Sequence, residues 1–147
     1  MPCDRGDLKG FHMGTFSEPT IPPPCFTFMN AELLEAQGGH SKLRFAPSAS
    51  MENPFGVIQG GILAGMLDDV LGPAGMTMAG GRAFSTIQMS VNYLGRAYAG
   101  QPLLGVGHVI KAGKTQMLIE AELMRESDGE VLASAVSVNL FMDTYCQ

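Results

Sequence analysis

Asn53-Pro-Phe-Gly-Val-Ile-Gln-Gly-Gly-Ile-Leu-Ala-Gly-Met-Leu-Asp-Asp-Val-Leu-Gly72 is the stretch around which the chain is organised. It opens as a turn, because Asn-Pro and the glycine after it disfavour helix. From Gly60-Gly61 onward, Ile62, Leu63, Met66, Leu67, Val70 and Leu71 recur at i, i+3, i+4 spacing, which predicts a helix with one large apolar face. The opposite face carries Gly61, Ala64, Gly65, Asp68, Gly72 and Gly75. A solvent face would be rich in Lys, Glu and Gln. Small residues around one carboxylate instead suggest close approach of another backbone or a ligand. A helix that opens on a glycine pair also directs unpaired N–H groups at whatever precedes it. Amide donors at one end and a carboxylate further along read as a site.

Working outward, residues 1–25 form an extended, Gly- and Pro-rich lead segment ending in Ile21-Pro-Pro-Pro24, with His12 as a loop residue without a chemical role. Residues 26–147 form a single domain. Within it, Phe26–Gln37 is expected to be a short helix, with Asn30 as a cap and Gly38-Gly39 as its stop. His40–Ala46 is expected to be a short strand. After a break at Ala79-Gly-Gly-Arg82, four runs alternate with period two: 84–94, 103–111, 115–125 and 131–142. Short turns join them, and Asp128-Gly129 is a strong hairpin signal. The order is therefore helix, strand, long helix and an antiparallel meander, an α+β pattern.

Composition narrows the function. Of 147 residues, 46% are hydrophobic and only 16% charged, which predicts that some surface is buried between subunits. A net charge of −5 argues against a nucleic-acid binder. Cys3, Cys25 and Cys146 are too dispersed for a metal cluster, and an odd count suits the cytoplasm. No apolar run reaches the ~18 residues of a membrane span, and the polar first residues lack a signal-peptide core. Gly107-His-Val-Ile-Lys-Ala-Gly-Lys-Thr115 approaches a phosphate-binding loop, but it has one residue too many between its glycines. An alternating strand follows it instead of a helix, so it is expected to be a hairpin turn with His108 as a plain strand residue.

Asn53, Gly60-Gly61 and Asp68 resemble the motif of the hotdog-fold acyl-CoA thioesterases of the phenylacetate-degradation type. That pattern reads Asn, six residues on His-Gly-Gly, and Asp nine residues after the His. Gln59 stands in the place of the His. The resemblance extends over roughly residues 30–142 and implies an antiparallel sheet wrapped around one long central helix. It also implies a homodimer or homotetramer acting on an acyl-CoA, without metal and with no cofactor beyond the coenzyme A of the substrate. The roles it implies are the Gly60 amide as donor to the thioester carbonyl and Asp68, reaching across from a second subunit, as general base or nucleophile. Asn53 and Gln59 would orient the thioester or water, and Thr86, with Ser85 beside it, falls where the family places a strand hydroxyl. Gly61 would lie against substrate. Arg82, Lys111 and Lys114 are the cations available for coenzyme A phosphates. Arg96 is a weaker candidate, because Gly95-Arg96-Ala97 replaces the usual Arg-Pro-Ala. Asp69 competes with Asp68, but it points about 100° away on a helix, toward the apolar side. Two other activities share the expected fold: acyl-CoA binding without catalysis, which Gln59 favours, and hydration of an enoyl-CoA, which the missing histidine disfavours.

Overall fold

The computed structural model describes residues 23–142. The elements in chain order are α1 (Pro24–Phe28), β1 (Ala31–Gln37), β2 (His40–Phe45), a 3₁₀ turn (Ala49–Met51) and α2 (Gly60–Met78). They are followed by β3 (Phe84–Tyr93), β4 (Leu103–Ala112), β5 (Gln116–Arg125) and β6 (Val131–Phe141). The six strands make one antiparallel sheet in the order β1-β2-β4-β5-β6-β3. The long helix and the four later strands lie where the periodicity places them, but the expected four-strand meander is corrected. Only β4-β5-β6 run as a meander, and β3 pairs with β6 instead of β4, at the sheet edge.

The region before them departs from expectation. Phe26–Gln37 is not one helix, for helix ends at Phe28 and Ala31–Gln37 is an edge strand. Ala, Glu, Leu and Gln are good helix formers, and here pairing with β2 overrides that preference. The glycines taken as a helix stop have φ of 55° and 83° and join Gln37 to His40 as a two-residue hairpin turn. A bulge between Leu33 and Glu35 interrupts the alternation that would have betrayed the strand. Asn30 caps nothing. It takes a left-handed φ of 50°, and its Nδ2 donates to the Ala46 carbonyl at 3.1 Å. Pro24 and Cys25, assigned above to the lead segment, belong to α1, which buries Phe26. The remainder of that segment that precedes Pro23, His12 included, lies outside the described residues, as do Cys3 and Cys146.

The apolar face of α2 is the centre of the core. Leu63, Met66, Leu67, Val70 and Leu71 are at most 3% exposed and pack with Leu43, Phe45, Leu103, Ile119 and Leu123 from the inner sheet face. Gly105 and Gly107 on β4 let the helix sit close. A Cβ on Gly105 would strike the Val70 side chain, and one on Gly107 would meet the Val70 carbonyl at 3.0 Å. Ser41 Oγ secures the same turn by donating to the Val70 carbonyl at 2.7 Å. Pro73 removes one amide from the helix ladder, and α2 continues through it to Met78. The small-residue face of α2 is met at two places by side chains of the same chain. Gly65 lies against Met29 of the same chain, and Gly75 against Ile119 and Phe84. Gly61 and Gly72 face open space.

Candidate active site

The turn ahead of α2 is built by Asn53. Its Oδ1 accepts from the amides of Phe55 at 2.9 Å and Val57 at 3.4 Å, while its own amide donates to the Val57 carbonyl at 2.8 Å. Next, the Ile58 amide donates to the Ala97 carbonyl, and the Gln59 amide to the Met51 carbonyl, both at 2.9 Å. These bonds fix the angle at which the chain enters the helix. Gln59 is the N-cap residue, yet its side chain makes no cap bond and is exposed. Its carbonyl accepts from Ile62 and Leu63. The amides of Gly60 and Gly61 donate to no group among the described residues. They are the orphan donors of the first turn and point outward together, favouring negative charge.

Tyr93, unremarked in the sequence, closes one side of this end. Its hydroxyl donates to the Gly60 carbonyl at 2.8 Å, and its ring lies 3.2 Å from where a Gly60 Cβ would be. A Cβ at Gly60 would press on that ring, which would have to shift by a few tenths of an ångström.

Two turns further along, Asp68 is exposed, and its Oδ1 accepts from the Thr86 hydroxyl at 3.0 Å. The structure thus brings together Thr86 and Asp68, eighteen residues apart in sequence. Ser85 does not share this arrangement, because neighbouring strand residues face opposite sides of the sheet. Thr86 also lies 3.0 Å from Oδ1 of Asn139 on β6, a side chain 1% exposed.

Asp69 turns to the other flank, as its helical angle requires. Its carboxylate bonds to the Cys25 thiol, and Oδ2 is buried without a partner. Burial raises its pKa to about 6, with the Asp68 charge adding to the rise and the thiol bond opposing it. Burial likewise raises the Cys25 thiol, and the carboxylate beside it adds to the shift. Among the described residues no group of three or more His, Cys, Asp or Glu has the geometry to hold a metal ion.

Comparison with known proteins places this geometry. The family model described as "Thioesterase superfamily" matches residues 55–132, more than half of the chain and the whole span from the turn through Asp68 and Thr86 into β6. The chain belongs to the thioesterase superfamily. Acyl-coenzyme A thioesterase 13 of Mus musculus is 26% identical over 81 residues, 55% of this chain, and the match spans 58% of the mouse protein's length. A phenylacetic acid degradation-related protein of Ralstonia eutropha superposes with a TM-score of 0.74 at 26% identity, covering 82% of this chain and 92% of that one. A hypothetical thioesterase of Streptococcus pneumoniae, solved with coenzyme A, gives a TM-score of 0.73 at 23% identity, covering 78% and 90%. The fold is the hotdog fold, of the phenylacetate-degradation type.

In this chain the expected cations other than Arg96 lie apart from the open end of α2. The Arg82 guanidinium stacks over the Phe141 ring at 3.6 Å and donates to the Lys114 carbonyl at 2.9 Å, beyond the C-terminal end of the helix. Lys111 and Lys114 are exposed at the neighbouring β4–β5 turn. Arg96 is exposed next to Ala97, whose carbonyl accepts from the Ile58 amide and ties down the turn before α2. The near-phosphate-loop stretch is a hairpin turn, closed by the Gly113 amide on the Gln116 carbonyl at 2.8 Å. His108 stacks on His40 across the strand pair, with ring centroids 4.5 Å apart. Among the described residues no helix is long and apolar enough to cross a membrane.

Proposed function

We propose that this chain hydrolyses acyl-CoA thioesters to free acid and coenzyme A, in a site shared by two copies. The observation that carries the reading is the pair of unused amides at the opening of α2, on the helix that also presents Asp68 bonded to Thr86. Membership of the thioesterase superfamily, the naming of the mouse relative and the coenzyme A bound to the pneumococcal protein support it.

In the reaction, the Gly60 N–H stabilises the negative charge that develops on the thioester oxygen. Asp68 removes a proton from water as the water oxygen attacks the carbonyl carbon. The tetrahedral intermediate then collapses, the C–S bond breaks, and the proton held by Asp68 passes to the departing thiolate. Asn53 and Gln59 offer carboxamides to orient water or the carbonyl. On one chain Gly60 and Asp68 are eight residues apart, about 12 Å at the helical rise. Both cannot contact one carbonyl group from the same helix. The outer edge of β3 is open, with Ile87 at 51% and Tyr93 at 54% exposure. Thr86 and Tyr93 mark the Asp68 and Gly60 ends of that strand. Pairing β3 with a second β3 about a two-fold near Met89–Ser90 sets each Asp68 against the partner's helix opening. The fold itself does not choose the chemistry.

Gln59 favours a second reading, binding of acyl-CoA without turnover, since a carboxamide cannot titrate as a histidine does. Incubation with a panel of acyl-CoAs, monitored for free thiol, separates the two. Sustained release that Asp68→Asn reduces at least tenfold, with binding kept within a few-fold, supports hydrolysis. Binding without release establishes the second reading. A turnover above a tenth of wild type in Asp68→Asn moves the base elsewhere, with Asp69 the next residue to test.

A further inference from the structure

Ser137 and Asn139 are polar residues in the buried row of β6, which otherwise presents Ala133, Ala135 and Phe141 to the core. Both are at most 1% exposed, and burying a carboxamide is costly unless it is bonded. Asn139 Nδ2 donates to Ser137 Oγ at 2.7 Å, and Ser137 Oγ points to the Ile119 carbonyl at 3.4 Å. This anchoring turns Asn139 Oδ1 outward to Thr86. The Thr86 hydroxyl has one proton and two acceptors at the same distance, Asp68 Oδ1 and Asn139 Oδ1, each at 3.0 Å.

We propose that Asn139 is a positioning residue that makes Thr86 a two-position proton switch for Asp68. While Asp68 is ionised, the Thr86 proton points at the carboxylate, the stronger acceptor. When Asp68 has taken the proton of the attacking water, the Thr86 proton turns to Asn139 Oδ1. No bond to a heavy atom is made or broken, and the hydroxyl keeps a partner in both states. The device eases protonation of the base and its return of the proton to the leaving thiolate. Around Asp68, the charged neighbour recorded is Asp69 on its own helix, which α1 meets through the Cys25 thiol. The sheet residues turned toward α2 are uncharged, and β3 adds the Tyr93 phenol at the far end of the strand.

The inference rests on Asp68 as the base, and its test has one arm that needs no turnover. In wild-type protein with carbon-13-labelled side chains, the Asn139 carboxamide carbon is expected to titrate with the same midpoint as the Asp68 carboxyl. An Asn139 signal constant through that midpoint overturns the switch, whether or not the protein hydrolyses thioesters. In the second arm, Asn139→Leu keeps the side-chain shape and removes the second acceptor. Its kcat is expected to fall about tenfold with KM within about twofold, and the acid limb of kcat/KM to move down by about half a pH unit or more. In a Thr86→Val background the same substitution should leave the limb where it is. An unmoved limb in the single variant, or a shift that survives in Thr86→Val, reduces Asn139 to a packing residue. A limb that moves upward means that the carboxamide donates to Thr86, which also overturns the proposal.

Discussion

Asp68 and Asp69 differ less in sequence than in surroundings. Adjacent helix positions send one carboxylate to an exposed bond with Thr86 and the other to a half-buried contact with the Cys25 thiol. The buried one has its pKa raised to about 6, chiefly by desolvation. A carboxylate whose folded-state value lies above its unfolded one binds protons more readily when folded. Its burden on stability is therefore absent below about pH 4, grows between about pH 4 and pH 6, and is complete above. Asp69→Asn is expected to make the Tm difference, variant minus wild type, more positive as pH rises from 4 to 7. Thermal melts at pH 4, 5, 6 and 7 check this, and a difference independent of pH refutes the buried-charge account. At this scale the sequence was legible where spacing carries angular information. Asp68, Gly60 and Asn53 follow from the motif, and the divergence of Asp69 from helical geometry. Tyr93 and Asn139 were not legible, because what distinguishes them is a partner 33 or 53 residues away. The one local signal for Asn139 was polarity within the inward-facing row of a strand.

Among the elements, the meander and α2 follow from periodicity because each buries one face, and a period of two or 3.6 is the trace of that burial. Strand β1 left no such trace. It lies at the sheet edge, five of its seven residues are exposed, and a bulge breaks its alternation. With no buried face to impose a pattern, helix-favouring residues dominate the reading. The glycines of β4 show the opposite case, in which a residue poor for strands is required by what crosses it. A methyl group at Gly105 collides with Val70 Cγ2 and crowds Phe45 and Leu123. Gly105→Ala is expected to cost roughly 1–3 kcal/mol by overpacking. Val70→Ala alone should also destabilise, by leaving a cavity. The double variant is expected to be more stable than the sum of the two losses implies, by about 1 kcal/mol or more. Urea titration of the four proteins measures the coupling, and strict additivity would mean that α2 does not rest on β4 at this point.

For the whole molecule, the proposed shared site rests on the separation of Gly60 and Asp68 along α2. Gly60→Pro isolates the contribution of one half. Proline is well accepted at the first position of a helix, and it deletes the very N–H assigned to the oxyanion. Gln59 already has φ −61° and ψ 140°, the extended conformation that a following proline demands. The variant is expected to fold with the Tyr93 ring shifted slightly to admit the proline, and to lose about 10²–10³ in kcat. Mixed by unfolding and refolding together, equal amounts of Gly60→Pro and Asp68→Asn chains should form mixed dimers in half of the population. Each mixed dimer has one site with both lesions and one with neither, so about a quarter of wild-type activity should return. Kinetics of the mixture against each variant alone are the measurement. An absence of recovery despite mixed dimers, shown by native mass spectrometry, would mean that each chain works by itself.

The open edge of β3 also bears on gene dosage. A catalyst whose halves reside on separate copies has an output that follows the square of its abundance when copies are scarce. Halving expression below the association constant's reach would cut flux fourfold, and a cell could silence the reaction by modest dilution alone, with no inhibitor at all. The same arithmetic separates an Asp68 lesion from a missing copy: with half of the chains altered, half of the sites still work, whereas halving the number of scarce copies leaves a quarter of the flux.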